Sequence, residues 1–187
     1  VRRGSSYLHA SSKLYADAAI DLRYTQETDN QTIDRILEAK DTMMDAMGIY
    51  QHHDAVSGTE RQHVAYDYSY RLANATNTNE KMYSDVMLDR VASMSGIMPK
   101  QLAWQQCLKT NSTYLDCPIA DYDLSQPITV AVHNPSSLDV SVAKMAVPHG
   151  KFHVEKFDYQ AQEFTPAQAD VHCNPDTQPD GKPVNNC

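Results

Sequence analysis

The first hundred residues repeat their apolar positions about every 3.6 residues, a pattern typical of amphipathic helices. One apolar stripe over residues 5–25 predicts a first helix. The spacing from Thr28 to Gln31 suits a capping box, and it predicts a second helix that ends near Gly48. The apolar positions of these two predicted helices are Leu8, Tyr15, Ala18, Ala19, Leu22, Ile33, Ile36, Leu37, Met43, Met44 and Met47.

A third helix is predicted after a second capping signal. Ser57 and Glu60 have the capping-box spacing, in which the Ser hydroxyl accepts from the Glu N–H and the Glu carboxylate reaches back. The polar stretch 74–79 predicts an interruption of this helix, and helical spacing then resumes as far as Gly96. Pro99 ends the helical region because it has no N–H to donate. Three such helices pack most simply as an antiparallel bundle, with methionines in its core.

The second half of the chain has a two-residue alternation with β-branched residues, which favours strands. We expect strands at 128–133, 138–147 and 151–157, with a turn at 134–137. The chain from Pro166 onward is polar and has little to bury. These patterns predict an α+β chain in which a three-helix bundle is followed by the start of an antiparallel β-sandwich.

The composition changes at the same place as the pattern. All nine prolines and all four cysteines lie at or beyond Pro99, whereas seven of the eight methionines precede it. We therefore expect a helical bundle over 1–98, a linker over 99–126, and the beginning of a β-sandwich domain with a polar tail over 127–187.

The charge of the chain excludes two classes of partner. Sixteen Lys and Arg against twenty-four Asp and Glu give a formal net charge of −8. A nucleic-acid or anionic-membrane protein would favour a basic face, so neither partner is expected. No stretch approaches the roughly 18 consecutive apolar residues that indicate a membrane-spanning helix.

Glycosylation sequons and cysteines indicate an oxidising, lumenal compartment. Asn-x-Ser/Thr sequons make three asparagines candidate glycosylation sites, namely Asn30, Asn74 and Asn111. The cysteine count is even, as in a disulfide framework. The spacing leaves open whether Cys173 and Cys187 pair with each other or with another chain.

The densest group of polar side chains is Gln51-His52-His53-Asp54, between the second and third predicted helices. Imidazole is a common nitrogen ligand of zinc, and a neighbouring carboxylate can orient it or bind sugar hydroxyls. A solvated loop whose side chains cap the helix stays an alternative from spacing alone. No G-x-S-x-G motif or glycine-rich phosphate loop accompanies this group.

The run QHHDAVSGTERQHVAYDYSYRLA at 51–73 closely resembles the signature of class II α-mannosidases, glycoside hydrolase family 38. The stretch from Trp104 to Pro118 is similar to the disulfide loop of that family. The resemblance therefore implies that Cys107 pairs with Cys117, that the linker is disulfide-closed, and that its loop carries the Asn111 sequon. This loop is most similar to the lysosomal branch, which implies a lysosome or another acidic secretory compartment.

The resemblance implies a retaining, zinc-dependent exo-α-mannosidase that hydrolyses terminal α-linked mannose from N-glycans. In this family, one zinc ion holds the scissile mannose, and three of its ligands come from an α/β barrel that precedes the bundle. The fourth ligand maps to His53, and the residue that binds sugar hydroxyls maps to Asp54. His52 has no clear role in the family and is interpreted as structural.

The two catalytic carboxylates of the family lie in the barrel, so no catalytic residue is expected in this chain. We expect it to be an internal fragment or processed peptide, inactive alone. Its expected partners are the N-terminal barrel chain and the C-terminal β-domain chain of the same precursor, together with mannose-terminated glycans. The alternative hypothesis is a non-catalytic glycan- or protein-binding module in which the HHD loop only caps a helix.

Overall fold

The structure, a computed structural model, describes residues 1–24, 30–96, 106, 127–139, 151–158 and 160–170. These residues form, in order, the helices α1 (Arg2–Tyr24), α2 (Asn30–Ile49), α3 (His53–Ser57) and α4 (Gln62–Ser95), and the strands β1 (Glu155–Asp158) and β2 (Glu163–Pro166). The expected mixture of helices and antiparallel strands is therefore confirmed. None of the helices in the described ranges is long and apolar enough to cross a membrane.

The chain divides into two compact units. The first lies within Val1–Arg90 and Ala131–Val142 and contains α1, α2, α3 and most of α4. The second lies within Val91–Val130 and Ala143–Cys187 and contains β1 and β2.

The core of the first unit is formed by the three long helices together. One cluster of buried residues combines Leu14, Tyr15, Ile36, Ala39, Met82 and Val86. A second cluster combines Met43, Ala46, Met47 and Ala75, with Tyr7, Leu8 and Leu72 packed against it. The apolar stripe predicted for α2 is only partly buried, because Leu37 and Met44 are 48% and 49% exposed. Each directly follows a buried residue in the sequence, and successive residues lie about 100° apart around a helix. The two side chains therefore lie away from the buried face of α2.

Contacts between α1 and α4 show that these two helices run in the same direction. Gly4, near the start of α1, lies so close to Leu72 that an added Cβ would be 3.2 Å from its Cδ1. Further along both helices, the Tyr15 hydroxyl lies 3.0 Å from the Asn79 carbonyl oxygen and 2.8 Å from its Oδ1. Residues later in α1 thus contact residues later in α4, so the two helices are parallel.

Helix α2 runs in the opposite direction. Arg35, near its start, forms an ion pair with Asp85, late in α4. Met43, further along α2, has its sulfur 4.0 Å from the Thr76 hydroxyl, which lies earlier in α4. Residues later in α2 therefore contact residues earlier in α4, so the two helices are antiparallel.

The expected interruption at 74–79 is wrong, because α4 continues without a break from Gln62 to Ser95. Two residues of this polar stretch, Ala75 and Asn79, are buried against the other helices. The Thr76 hydroxyl donates to the Leu72 carbonyl oxygen of the preceding turn at 2.7 Å. Tertiary contacts and local hydrogen bonds thus keep a polar sequence helical.

The strand expected at 128–133 is also wrong, since residues 127–139 contain no strand. The expected turn is present: Asn134 Oδ1 accepts from the Ser136 N–H at 3.0 Å, and Asn134 Nδ2 donates to the Leu138 carbonyl oxygen at 2.7 Å. Leu138 is not in a strand either, and most of the expected strand 138–147 lies outside the described residues. The expected β-sandwich is not seen in the described part of the chain.

The second unit contains an antiparallel hairpin in which β1 pairs with β2. The expected strand at 151–157 is present in part, as β1, but its partner β2 was not predicted. Phe157 pairs directly with Phe164, and their ring centroids are 5.2 Å apart. Asp158 Oδ1 accepts from the N–H groups of Gln160 and Ala161, and these hydrogen bonds lower the pKa of Asp158. The hairpin is thus closed by a turn that its own carboxylate stabilises.

A histidine contact in the first unit predicts a pH dependence of stability. His133 Nδ1 lies 2.6 Å from the Tyr83 hydroxyl, and burial lowers the pKa of His133 below its ordinary value of 6.5. Arg90 lowers this pKa further, whereas Asp17 opposes the shift. The folded state thus favours the neutral imidazole, and this stabilisation is lost as the pH falls from 6.5 through the lowered pKa. We expect acidification to lower the thermal unfolding midpoint more in the wild-type chain than in His133→Gln.

The matched control for this prediction is His9→Gln, because His9 lies exposed on α1. Its unfolding midpoint should respond to pH as the wild type does. Equal pH responses of the wild type and His133→Gln, measured by circular dichroism between about pH 7.5 and about pH 5, would contradict the assignment.

Candidate metal centre

The candidate site lies in the connection between α2 and α4, at residues 50–61. The chain leaves α2 through a turn in which the Gln51 N–H donates to the Gly48 carbonyl oxygen, and the His52 N–H to that of Ile49. Helix α3 follows immediately as a single short turn. The connection therefore brings its two histidines and one aspartate close together in space.

His52, His53 and Asp54 each offer one possible metal-ligand atom, and these atoms lie within 4.8 Å of one another. His52 Nε2 is 3.4 Å from Asp54 Oδ2, and His53 Nε2 is 3.5 Å from Asp54 Oδ1. The two imidazole rings have centroids 4.3 Å apart. Imidazole nitrogen and carboxylate oxygen are donors that zinc accepts in proteins, so these residues fit a zinc ion chemically.

The three side chains differ in their exposure to solvent. His53 is 83% exposed, whereas His52 and Asp54 are 46% and 40% exposed. The hydrogen bond from Thr59 is the largest influence on the pKa of Asp54 and lowers it; burial opposes this shift, and the nearby His53 and His52 add to it. Asp54 is thus held as an acceptor-only carboxylate beside an open imidazole.

Two hydroxyl groups support Asp54 and His53 from the end of α3. The Thr59 hydroxyl donates to Asp54 Oδ1 at 2.8 Å. The Ser57 hydroxyl lies 2.8 Å from the Thr59 hydroxyl and donates to the His53 carbonyl oxygen at 2.7 Å. Thr59 was missed as a site residue by sequence reasoning, since its contact with Asp54 exists only once the chain has turned back.

Gly58 makes that return possible. Its φ of 71° and ψ of 30° place it in the left-handed region, where glycine has no Cβ penalty. The N–H groups of Gly58 and Thr59 both donate to the Asp54 carbonyl oxygen, the second at 3.0 Å. This C-terminal cap fixes the backbone of Thr59 over the first turn of α3.

The capping box expected at Ser57 and Glu60 is wrong. Ser57 is the last residue of α3, its hydroxyl bonds backward to His53, and α4 begins only at Gln62. Glu60 Oε2 is buried and has no hydrogen-bond partner among the described residues. The left-handed Gly58 between the two residues starts a new segment, so the expected reciprocal bonds do not form.

The alternative in which the HHD loop caps a helix receives no support at His52. This residue is the N-cap of α3, and its side chain makes no capping hydrogen bond.

The other predicted site residues are distributed outside this group. Asn30 is the exposed first residue of α2, and Asn74 is exposed on α4. The remaining candidates, Cys107, Asn111, Cys117, Cys173 and Cys187, lie outside the described residues. Their predicted pairing and glycosylation stay predictions.

Comparison with known proteins identifies what about half of the chain is similar to. Residues 1–89 match the family model described as the alpha mannosidase middle domain. A probable alpha-mannosidase of Arabidopsis thaliana is 40% identical over 98 residues, which is 51% of this chain and 9% of that protein. The lysosomal alpha-mannosidase of Bos taurus is 37% identical over 91 residues, 49% of this chain and 8% of that protein. That of Homo sapiens is 33% identical over 112 residues, 59% of this chain and 10% of that protein.

No solved structure matches the chain. The matched region spans about a tenth of the length of these curated relatives. The family model and the relatives given above all carry the name alpha-mannosidase. Residues 1–89 thus belong to the alpha mannosidase middle domain, and together with the relatives they support a class II α-mannosidase fragment.

Proposed function

We propose that this chain contributes a zinc ligand, His53, and a sugar-binding carboxylate, Asp54, to a retaining exo-α-mannosidase that removes terminal α-linked mannose from N-glycans. The observation that carries the proposal is the pairing of an open imidazole with an oriented carboxylate 3.5 Å away, in a chain of the α-mannosidase family. The remaining zinc ligands would come from the barrel domain.

Each residue has a separate task in this proposal. His53 holds the metal through an imidazole nitrogen. Because the side chain is exposed, that nitrogen is accessible to a metal ion whose other ligands lie on another domain. When bound, zinc supplies positive charge that fixes the hydroxyls of the scissile mannose. Asp54 accepts hydrogen bonds from sugar hydroxyls, because an ionised carboxylate can only accept. His52 stays a structural neighbour of Asp54.

The chain does not supply the chemistry of bond cleavage in this proposal. A retaining glycosidase needs two carboxyl groups about 5–5.5 Å apart, one as nucleophile and one as acid and base. The group formed by His52, His53 and Asp54 contains a single carboxylate. We therefore propose that the nucleophile and the acid/base lie in the barrel, and that the 187-residue chain is inactive alone.

The proposal includes the environment and partners of the enzyme. Several relatives are named lysosomal alpha-mannosidase, which supports a lysosomal or related acidic compartment. Glycans on Asn30, Asn74 and Asn111 and a disulfide between Cys107 and Cys117 suit such a lumen. The barrel chain and the C-terminal β-domain chain of one precursor would assemble around this one.

Replacement of Asp54 by asparagine tests the sugar-binding role. In the complete enzyme, Asp54→Asn should lower kcat/KM for 4-nitrophenyl α-mannoside by about 10–100-fold, the loss expected for a hydrogen bond to a charged group. Asp41→Asn is the matched control, since Asp41 is exposed on α2, and its kcat/KM should equal that of the wild type. An Asp54→Asn enzyme within about twofold of wild type would favour the non-catalytic binding module instead.

A further inference from the structure

We propose that Thr59 is a positioning residue for sugar binding: its hydroxyl fixes Asp54 Oδ1, so that the carboxylate meets the substrate in one orientation. This inference rests on the proposed function, because it specifies how Asp54 is made ready to bind a sugar hydroxyl. It concerns a residue that makes no sugar or metal contact of its own in the proposal.

The count of hydroxyl protons determines the direction of the hydrogen bonds. Thr59 and Ser57 have one hydroxyl proton each, and an ionised Asp54 has none to donate. The 2.8 Å contact between Thr59 and Asp54 Oδ1 therefore uses the Thr59 proton. The single Ser57 proton is then shared between the His53 carbonyl oxygen at 2.7 Å and the Thr59 hydroxyl at 2.8 Å. The two hydroxyls thus connect the carboxylate of Asp54 with the backbone of His53.

The backbone holds the Thr59 hydroxyl in place. Because the Gly58 cap directs two N–H groups to the Asp54 carbonyl oxygen, Thr59 and Asp54 are tied by a backbone bond as well as a side-chain bond. A donor fixed in this way restricts rotation of the carboxylate at Oδ1. The other oxygen, Oδ2, lies 3.4 Å from His52 Nε2. Loss of the Thr59 hydroxyl would remove the shortest of the contacts to the carboxylate and weaken the restraint on its rotation.

A purely structural role does not account for this bond. Helix α3 has no buried residues, and Asp54 is 40% exposed, so water can replace the Thr59 hydroxyl as a donor. Removal of the hydroxyl should therefore change stability little. The fixed orientation of the carboxylate is what water cannot reproduce, and it matters for a ligand with fixed hydroxyl positions.

Variants of Thr59 in the complete enzyme test the proposal. Thr59→Val keeps the branched shape without the hydroxyl, and Thr59→Ser keeps the hydroxyl. The matched control is Thr42→Val, because Thr42 lies on α2 and its hydroxyl donates to the Glu38 carbonyl oxygen of its own helix. Measurements are kcat/KM for 4-nitrophenyl α-mannoside, the dissociation constant of methyl α-mannoside by calorimetry, zinc content and the thermal unfolding midpoint.

We expect Thr59→Val to weaken methyl α-mannoside binding and to lower kcat/KM, each by about tenfold. Thr59→Ser should stay within about threefold of wild type, and Thr42→Val should match it. Zinc content and unfolding midpoints should be the same in all four proteins. Either equal behaviour of Thr59→Val and Thr42→Val, or equal losses in Thr59→Val and Thr59→Ser with a lowered midpoint, would overturn the proposal.

The test separates this inference from the proposed function. If Asp54→Asn loses activity while Thr59→Val does not, the positioning role fails and the role of Asp54 survives. If Asp54→Asn itself retains full activity and methyl α-mannoside binding, the proposed function fails and the positioning role fails with it.

Discussion

Replacement of His53 by alanine in the complete enzyme is expected to lower α-mannosidase activity by at least about a hundredfold and to reduce zinc content. Loss of an outer-shell partner of a metal ligand already costs roughly 10–100-fold, so loss of the ligand itself should cost at least as much. Because the His53 side chain is 83% exposed in this chain, the free energy of unfolding of the chain by itself, without zinc, should change by no more than about 0.5 kcal/mol. Activity assays, metal analysis and thermal unfolding check the three parts.

Two other histidines provide matched controls for this variant. His63 is exposed on α4, so His63→Ala should retain both zinc and activity. His52 lies beside Asp54 but is not a ligand in the proposal, so His52→Ala should retain zinc. Full activity and zinc content in His53→Ala would remove the basis of the metal assignment, as would loss of zinc in His63→Ala.

Replacement of Met43 by alanine is expected to destabilise the first unit by about 2–5 kcal/mol, the range found when a fully buried aliphatic side chain is truncated. Met43 is 0% exposed and packs with Ala46, Met47 and Ala75, so the lost volume leaves a cavity among helices. Denaturant unfolding of the chain, followed by circular dichroism at the helical signal, measures the change.

The adjacent Met44 is the matched control, since it has the same side chain on the same helix but is 49% exposed. Met44→Ala should change the free energy of unfolding by no more than about 0.5 kcal/mol, and alanine's higher helix propensity favours stabilisation. Equal effects of the two substitutions would show that the packing of α2 differs from the structure described above.

The three long helices could be predicted from sequence because each buries apolar residues that its own periodicity reveals. The end of α2 near Gly48 and the end of α4 near Gly96 were predicted within a residue or two. The stretch 74–79 was not, because its polar composition conceals two buried residues, Ala75 and Asn79. Burial by other helices, which no local pattern contains, outweighs local propensity there.

The errors at Ser57 and at 128–133 have different physical causes. At Ser57 the spacing to Glu60 was right for a capping box, but the left-handed Gly58 ends one helix between them. At 128–133 the alternation of β-branched residues was genuine, yet no strand pairs with this segment among the described residues. His133 contacts Tyr83 of α4 instead. A strand exists only with a partner, and alternation alone does not provide one.

The candidate site was predicted in part. The resemblance pointed to His53 and Asp54, and the structure places them next to each other with His52. Thr59 could not be found, because its role depends on a chain reversal that returns it to Asp54. The glycine between Ser57 and Thr59 was the available signal, since Gly-Thr after a short helical run favours a left-handed cap.

The central claim is that this loop supplies a ligand to the zinc of an α-mannosidase. A crystal structure of the complete enzyme, with anomalous diffraction recorded on both sides of the zinc absorption edge, tests it most directly. The account predicts one zinc peak about 2.0–2.1 Å from an imidazole nitrogen of His53. A zinc ion coordinated entirely by other residues, or an active enzyme with no zinc at His53, would contradict it.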